Sequence, residues 1–432
     1  MKKKIVYVPL AADILHEGHL SILKIASNYG KVIVGLLTDA AIIQYKNLPF
    51  FDYDQRFKIV SNLKLVDEVV PQDNWNYTSI LNSIKPDFFV HGDDWRIGIQ
   101  SKIRLEVIKE LKKWNGKLIE PKYSKNISKI SQKNKILHLG ITPDQRKLQL
   151  KRLLKAKKFI RIMESHSALS SLIIENINIY KNKKLLQFDG IWSSSLTDSA
   201  LRGRPDNQSV DYSQRINFLN ETIDTSLKPI IFDGDNGGRI EHLTYLIKNL
   251  EKIGVSALVL EDKKGLKINS LFKDQTKSSQ ESVEKFSKKI KIAINSRISE
   301  DFMIVARIES LILGKSLKDA INRAEQYSKA GADAILIHSN KDRPTEIFNF
   351  AKVFKKSKFF KPMIAIPSTY SKTYEKELIK NGFKIVIYAN HLLRASYKAM
   401  YETAEKILIK QRAFESEKKI TPINNIISLI KS

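Results

Sequence analysis

The chain begins by alternating between two hydrophobic periods. Short apolar runs rich in Val, Ile and Phe, at Ile5–Pro9, Val32–Thr38, Glu68–Pro71, Phe88–Asp94 and Lys117–Pro121, predict strands. Between them Gly18–Tyr29, Asp54–Leu63, Tyr77–Ile84 and Lys102–Trp114 repeat their apolar positions at helical spacing. Strand and helix in turn make βαβ units, so five parallel strands with helices on both faces are expected, a Rossmann-like sheet. From Tyr123 to Arg146 the period dissolves into a polar, lysine-rich stretch that reads as the end of one domain and a linker. Eight more strand candidates follow: Phe159–Met163, Leu185–Trp192, Pro229–Phe232, Ala257–Leu260, Phe302–Ala306, Ala334–Ile337, Met363–Ile366 and Ile385–Tyr388. Helix-like stretches such as Leu243–Ile253 and Leu317–Ala330 separate several of them, which is the arithmetic of a (β/α)8 barrel. The expected division is a domain over 1–132, a linker over 133–147 and the barrel over 148–432.

Nearly every barrel candidate ends in polar residues, among them Ser193-Ser194-Ser195, Asp233-Gly234-Asp235, Glu261-Asp262-Lys263, Arg307-Ile308-Glu309 and His338-Ser339. Barrel enzymes work at the C-terminal ends of their strands, so these groups are expected at one mouth.

Composition narrows the chemistry. With no cysteine, disulfides, thiolate metal sites and cysteine nucleophiles are excluded, and a reducing cytoplasm is the expected compartment. No run approaches a membrane span, and the N-terminal apolar stretch is interrupted by Asp13, His16 and Glu17, so no membrane association is expected. The net charge of +28 invites a nucleic-acid reading, but the lysines are spread along the chain and track a general Lys/Ile/Asn bias. No specific nucleic-acid partner is expected; the charge suits the steering of small phosphorylated anions.

Asp233 and Asp235 leave a strand at i and i+2 with Gly234 between them, and Glu261 ends the next strand. Together they read as a hard oxygen site for Mg2+, although as isolated residues they suit caps and turns equally well. Arg307 suits a carboxylate or phosphate, or pairs with Glu309 on a surface; His338 reads as a general acid, a phosphate donor or a rim imidazole. After Glu261 comes Asp262-Lys263-Lys264-Gly265-Leu266-Lys267-Ile268-Asn269-Ser270, poor core material and good material for a metal-assisted anion site. In the first domain His16-Glu17-Gly18-His19 sits at a strand–loop–helix junction, where two imidazoles and a helix N-terminus can meet nucleotide phosphates.

These motifs carry two resemblances. GIWSSS at Gly190–Ser195, DGD at Asp233–Asp235, EDKKGLKINS at Glu261–Ser270, VARIES at Val305–Ser310, GADAILIHS at Gly331–Ser339 and YANHLLRAS at Tyr388–Ser396 resemble the phosphoenolpyruvate mutase branch of the isocitrate lyase superfamily. Lyases of that superfamily carry a catalytic cysteine where this chain has Lys264–Ser270. The resemblance implies a phosphoenolpyruvate mutase barrel interconverting phosphoenolpyruvate and phosphonopyruvate, with Mg2+ on Asp233, Asp235 and Glu261 and Asp206 as an outer partner. It further implies pyruvate contacts at Trp192, Ser194, Ser195 and Leu196, phosphoryl contacts at Arg307 and His338, and a gating loop bearing Lys267, Asn269 and Ser270, with Asn269 as phosphoryl relay. A homodimer or homotetramer through the last helices is also implied.

The first domain resembles a cytidylyltransferase-type nucleotidyltransferase, through the HxGH motif and through Gly35–Asp39, Tyr53–Arg56 and His91–Trp95. That implies CTP and a phosphonate acceptor as its substrates. His16 and His19 would act on the phosphates; Gly18, His91, Asp93, Asp94 and Trp95 would bind the nucleotide and acceptor, and Lys46 and Arg56 would add charge. Pro9–Asp13 replaces the usual Thr-Gly-x-Phe-Asp start, and Tyr123–Ser128 stands in place of the late RTxGIS-type segment. The competing expectation is a phosphonopyruvate hydrolase-like barrel behind a non-catalytic nucleotide-binding domain.

Overall fold

The computed structural model describes residues 3–97, 100–122, 141–181, 184–265, 267–272, 274–275 and 279–429. Strands β1 (Ile5–Leu10), β2 (Lys31–Leu37), β3 (Glu68–Gln72), β4 (Phe88–Val90) and β5 (Lys117–Ile119) form a parallel sheet in the order β3-β2-β1-β4-β5. Helices cover both faces, so the central strands are continuous apolar runs rather than alternating ones. One face buries Ile22, Leu23 and Ala26 of helix α1 (Glu17–Ser27); the other buries Tyr7, Phe89, Trp95 and Val107. The run Phe88–Asp94 is strand only to Val90, because Asp93–Arg96 turns into a short 3-10 helix.

Helix α2 (Pro143–Ala156) starts inside the stretch expected to be linker. Thr142 Oγ1 accepts from Gln145 N at 3.4 Å, and Pro143 supplies the first-turn geometry, so a sharp helix start lay within a segment that reads as polar coil. Residues 133–140 of the expected linker, and the segment Tyr123–Ser128, lie outside the described residues.

Eight strands then close a parallel barrel: β6 (Ile160–Glu164), β7 (Gly190–Ser193), β8 (Ile230–Asp233), β9 (Ala257–Glu261), β10 (Met303–Ile308), β11 (Ala334–Ile337), β12 (Met363–Ala365) and β13 (Phe383–Tyr388). Each pairs with the next in sequence, and β13 pairs with β6. The expected strand Leu185–Trp192 is split. Lys184–Leu186 forms an antiparallel hairpin with Ile179–Lys181, and Asp189 then pairs with Lys157 and accepts from Arg161 N at 2.9 Å, which anchors the chain below β7.

Ile160, Ile231, Val259, Val305, Leu336 and Ile385 fill the barrel interior. Leu150 and Leu153 of α2 join that cluster from the floor, together with Ile43 and Leu48 of the first domain. Full burial of each leucine contributes about 1.5–3 kcal/mol, so α2 both plugs the barrel and glues it to the sheet domain. Arg152 fixes the junction: its guanidinium donates to Asp39 Oδ2 at 2.8 Å, Phe50 O at 3.0 Å and Phe51 O at 3.2 Å. Among the described residues no helix is long and apolar enough to cross a membrane.

Candidate active sites

The barrel mouth brings together the residues expected there. Trp192, Ser194, Leu196, Asp206, Asp233, Lys267, Asn269, Ser270, Arg307 and His338 line one small cavity of about 50 Å3. Ser195 lies at its edge, donating to Asp233 Oδ2 at 3.0 Å. Parallel register explains the convergence, because Glu261 of β9 stands beside Arg307 of β10 and Asp233 of β8 beside Val259 of β9. The two loop-borne groups His338 and Lys267 then fold inward over the strand ends.

Backbone constraints build the carboxylate corner. A Cβ at Gly234 would meet Leu258 Cδ1 at 2.4 Å and Val259 O at 2.8 Å, so only glycine fits between the two aspartates. Asp235 takes φ of +47, a left-handed conformation that a side-chain-bearing residue holds only under constraint.

Two ion networks meet at this corner. Lys267 Nζ lies 2.9 Å from Asp206 Oδ1 and 2.5 Å from Asp235 Oδ1, and also bonds Ser195 Oγ. Arg307 donates from Nε to Glu309 Oε1 at 2.6 Å and from Nη2 to Ser270 Oγ at 3.0 Å, with Glu261 Oε2 at 3.4 Å. Asn269 Nδ2 donates to Asp206 Oδ2 at 2.6 Å, and Ser270 Oγ donates to Glu309 Oε2 at 2.5 Å. The loop carrying Lys267, Asn269 and Ser270 is therefore docked on the mouth by all three side chains.

Burial and charge sort the protonation states. Burial works against charge on Asp233, but Lys267, Arg307 and Arg215 outweigh it and hold its pKa below the ordinary carboxylate value. Burial raises Asp235 and pushes Glu261 up to about 7, only partly offset by Lys267 and Arg307 respectively. His338 is lowered by burial and then by Arg307, so the ring is neutral. Arg307 Nη2 lies 3.1 Å and Glu309 Oε1 3.3 Å from His338 Nδ1; with the guanidinium, which can only donate, bonded to Nδ1, the ring proton sits on Nε2 as a donor for a ligand.

The donor set suits a hard divalent cation. Asp233, Asp235 and Glu261 are buried together; Asp235 Oδ1 is held by the Lys267 ammonium at 2.5 Å, and Glu261 Oε2 accepts no hydrogen bond, with Arg307 at 3.4 Å. Among the described residues no three carboxylate or imidazole groups surround a common point, and Lys267 occupies the midst of the corner. The residues fit Mg2+ in chemistry, with Lys267 holding the balancing charge in this state.

Two important groups escaped the sequence reading. Arg215, on the helix Tyr212–Thr225, is buried and donates to Asp198 Oδ2, Asp233 O and Ser193 O, tying β7 to β8 under the carboxylates. In sequence it is one charge in a helical run. Glu309 is fully buried as the shared acceptor of Arg307 and Ser270, where Arg-x-Glu reads equally well as a surface pair.

In the first domain His16 caps α1, accepting from Gly18 N at Nδ1 (3.1 Å), and its ring lies 3.9 Å from that of His19. Both histidines and Lys46 line a second cavity of about 460 Å3. Gly18, Arg56, His91, Asp93, Asp94 and Trp95 do not line it. Arg56 is fully buried; it donates to Ala11 O and Leu37 O, both at 2.7 Å, to Phe51 O at 3.1 Å and to Asp39 Oδ1 at 2.7 Å. Contrary to expectation it holds backbone, because these bonds engage the guanidinium that a triphosphate would need. Trp95 is likewise a packing residue, stacked on Phe89 and His91 and donating to Glu120 Oε1 at 2.8 Å.

Comparison with known proteins matches both halves of the chain, with the two matches overlapping over residues 150–176. The family model for phosphoenolpyruvate phosphomutase matches residues 150–408, and a cytidylyltransferase-like model matches residues 11–176. The phosphoenolpyruvate phosphomutase of Tetrahymena pyriformis is 36% identical over 282 residues, 65% of this chain and 90% of that protein. A crystal structure of phosphonopyruvate hydrolase in complex with oxalate and Mg2+ superposes with a TM-score of 0.58 at 30% identity, covering 67% of this chain and 95% of its own. The glycerol-3-phosphate cytidylyltransferase of Bacillus spizizenii is 39% identical over 98 residues, 22% of this chain and 74% of that protein.

Proposed function

Because the chain belongs to the phosphoenolpyruvate phosphomutase family, we propose that its barrel interconverts phosphoenolpyruvate and phosphonopyruvate, and that its cytidylyltransferase-like domain transfers CMP from CTP to a phosphonate. The observation that carries the barrel reading is the docked loop, with Lys267 on Asp206 and Asp235, Asn269 on Asp206 and Ser270 on Glu309. A shut mouth matters because the reaction is an intramolecular transfer. The enolate O–P bond breaks, a C–P bond forms at carbon 3 of pyruvate, and no water is consumed. Water admitted at that moment would capture the loose phosphoryl group.

Each residue then has a task. Trp192, Ser194, Ser195 and Leu196 seat the pyruvate moiety; Arg307 and the Nε2–H of His338 take phosphoryl oxygens; Asn269 on the closing loop relays the group between oxygen and carbon. Asp233, Asp235 and Glu261, with Asp206 behind them, would hold Mg2+, which supplies charge neutralisation at the pyruvate carboxylate and enolate oxygens. Phosphorus NMR of phosphonopyruvate with the protein and Mg2+ tests the reading. Phosphoenolpyruvate is the expected product; stoichiometric inorganic phosphate instead would make the barrel a hydrolase.

In the first domain a phosphonate oxygen attacks the α-phosphorus of CTP. The new O–P bond forms as the α–β anhydride breaks, and the electron pair leaves on pyrophosphate. His16 and His19, at the start of α1, support charge on the phosphates. Pyrophosphate release from CTP with a phosphonate acceptor, lost in His16→Ala, is expected; no release with any phosphonate would leave the domain a non-catalytic nucleotide-binding module.

A further inference from the structure

The loop that docks on the mouth leaves and rejoins the barrel through a ribbon of its own. Lys263–Lys264 and Ser279–Gln280 pair antiparallel, with Lys263 opposite Gln280, so both limbs of the loop start from one root. From that root Lys263 reaches into the loop, its Nζ donating to Ile268 O at 2.7 Å, between Lys267 and Asn269.

The root hangs on one buried carboxylate, Asp262. Its main-chain O accepts from Glu281 N at 2.7 Å, at the end of the returning limb. Its Oδ2 accepts from Gln280 Nε2 at 2.8 Å, Tyr327 OH at 2.8 Å and Arg323 Nη1 at 3.2 Å. Arg323 and Tyr327 stand on the helix Leu317–Lys329, and Arg323 also donates to Glu281 O at 2.9 Å. Gln280 Nε2 makes a second bond, to Ser310 Oγ at 3.0 Å.

The other oxygen of the same carboxylate holds the far side of the dock. Asp262 Oδ1 accepts from Glu309 N at 3.0 Å, and Glu309 is the residue on which Ser270 of the loop is seated and from which Arg307 is held. One carboxylate therefore sets the distance between the root of the loop and the partner that receives it. Asp262, Gln280, Arg323 and Tyr327 do not line the mouth cavity, so they act on its contents only through this geometry. In a buried and connected network of this kind, removing one member displaces the others.

Resting on the mutase reading, we propose that Gln280, Arg323 and Tyr327 are positioning residues that act through Asp262 to hold the loop shut, and so keep water from the phosphoryl group in transit. With the root loosened, a water oxygen forms the new bond to the phosphorus of phosphonopyruvate as the C–P bond breaks. The electron pair stays on carbon 3, a proton from that water joins it, and pyruvate and inorganic phosphate leave.

The test uses the full chain carrying Gln280→Met, which keeps the side chain's length and loses both amide bonds, or Tyr327→Phe, which loses only a hydroxyl. Phosphorus NMR gives the ratio of inorganic phosphate to phosphoenolpyruvate formed from phosphonopyruvate with Mg2+, a ratio independent of how much protein is folded. Trypsin with mass spectrometry gives cleavage after Lys267, 8% exposed in the docked loop, beside cleavage after Lys147, 5% exposed in α2. Each variant should raise the ratio by about tenfold or more and speed cleavage after Lys267, with cleavage after Lys147 unchanged. Where wild type makes phosphoenolpyruvate, a ratio unmoved in both variants overturns the proposal. In every case so does cleavage after Lys267 that gains no more than cleavage after Lys147, which would make the network a general brace of the fold. If wild type releases only inorganic phosphate while both variants speed cleavage after Lys267 alone, the positioning network stands and the mutase reading fails.

Discussion

Replacing Arg307 by leucine removes the guanidinium that contacts Glu309, which is fully buried, and a cation 3.4 Å from Glu261. Arg307 donates to Glu309, Ser270 and His338, so the leucine strands a carboxylate, a hydroxyl and an imidazole together. Breaking a buried pair from one side costs about 3–5 kcal/mol, because the remaining charge stays desolvated. Lys263, 3.5 Å from Glu309, recovers part of this, which sets the expected loss near the lower figure. Urea unfolding followed at the barrel transition should therefore show Arg307→Leu destabilised by about 3 kcal/mol, and Arg307→Leu/Glu309→Gln by at least ~1 kcal/mol less than the sum of the single changes. The pH dependence gives a second check. Burial opposes the charge on Glu309, but Arg307 foremost, with Lys263, outweighs it and holds its pKa well below 4.5. A depressed carboxylate stabilises the fold above its unfolded pKa and loses that contribution as pH falls through the folded value. The gap between wild type and Arg307→Leu should thus narrow below pH 4.5. Additive single and double changes, or a gap independent of pH, would refute the buried-pair account. Turnover should fall by about 100-fold or more, as for loss of a preorganised donor to the transferring group.

Other outcomes follow from the same geometry. Asn269→Ala removes the 2.6 Å bond to Asp206 and the proposed relay, and should lower kcat more than tenfold with a smaller change in KM in the phosphorus NMR assay; an unchanged kcat would remove Asn269 from the chemistry. Gly234→Ala drives a methyl into Leu258 Cδ1 and Val259 O and should cost about 1–3 kcal/mol in urea unfolding, with loss of Mg2+-dependent turnover. Glu120 is lowered to about 2, first by Arg104 and, against burial, by Trp95 and Arg96, so its contribution is full above pH 4.5 and is lost as pH falls toward 2. Glu120→Gln should accordingly lower the melting temperature at pH 7 and much less near pH 2, and an equal loss at both pH values would contradict that ion-pair account.

How much was legible in the sequence depended on range. Asp233-Gly234-Asp235, Glu261 and Arg307 were readable because each ends an apolar run, and strand ends of a barrel share one mouth. His16-Glu17-Gly18-His19 was readable because a helix start is a local event. The helix beginning at Pro143 was less so, because its apolar face is Leu150, Leu153 and Leu154, which look unremarkable until a barrel floor stands beneath them.

By itself, then, the sequence determined the two domains' fold classes, the absence of sulfur chemistry and most of the barrel's chemical groups, all consequences of short-range periodicity and residue type. Tertiary structure decided which charges are buried. Arg56 and Trp95 became scaffold while Arg215 and Glu309 became the site's framework, a distinction set by desolvation and by partners distant in the chain. It also decided that Gln187 and Lys228, placed before two barrel strands, face the histidines of another domain across a common cavity. No local pattern encodes that pairing, because it exists only once Arg152, Leu150 and Leu153 of α2 have docked the domains together.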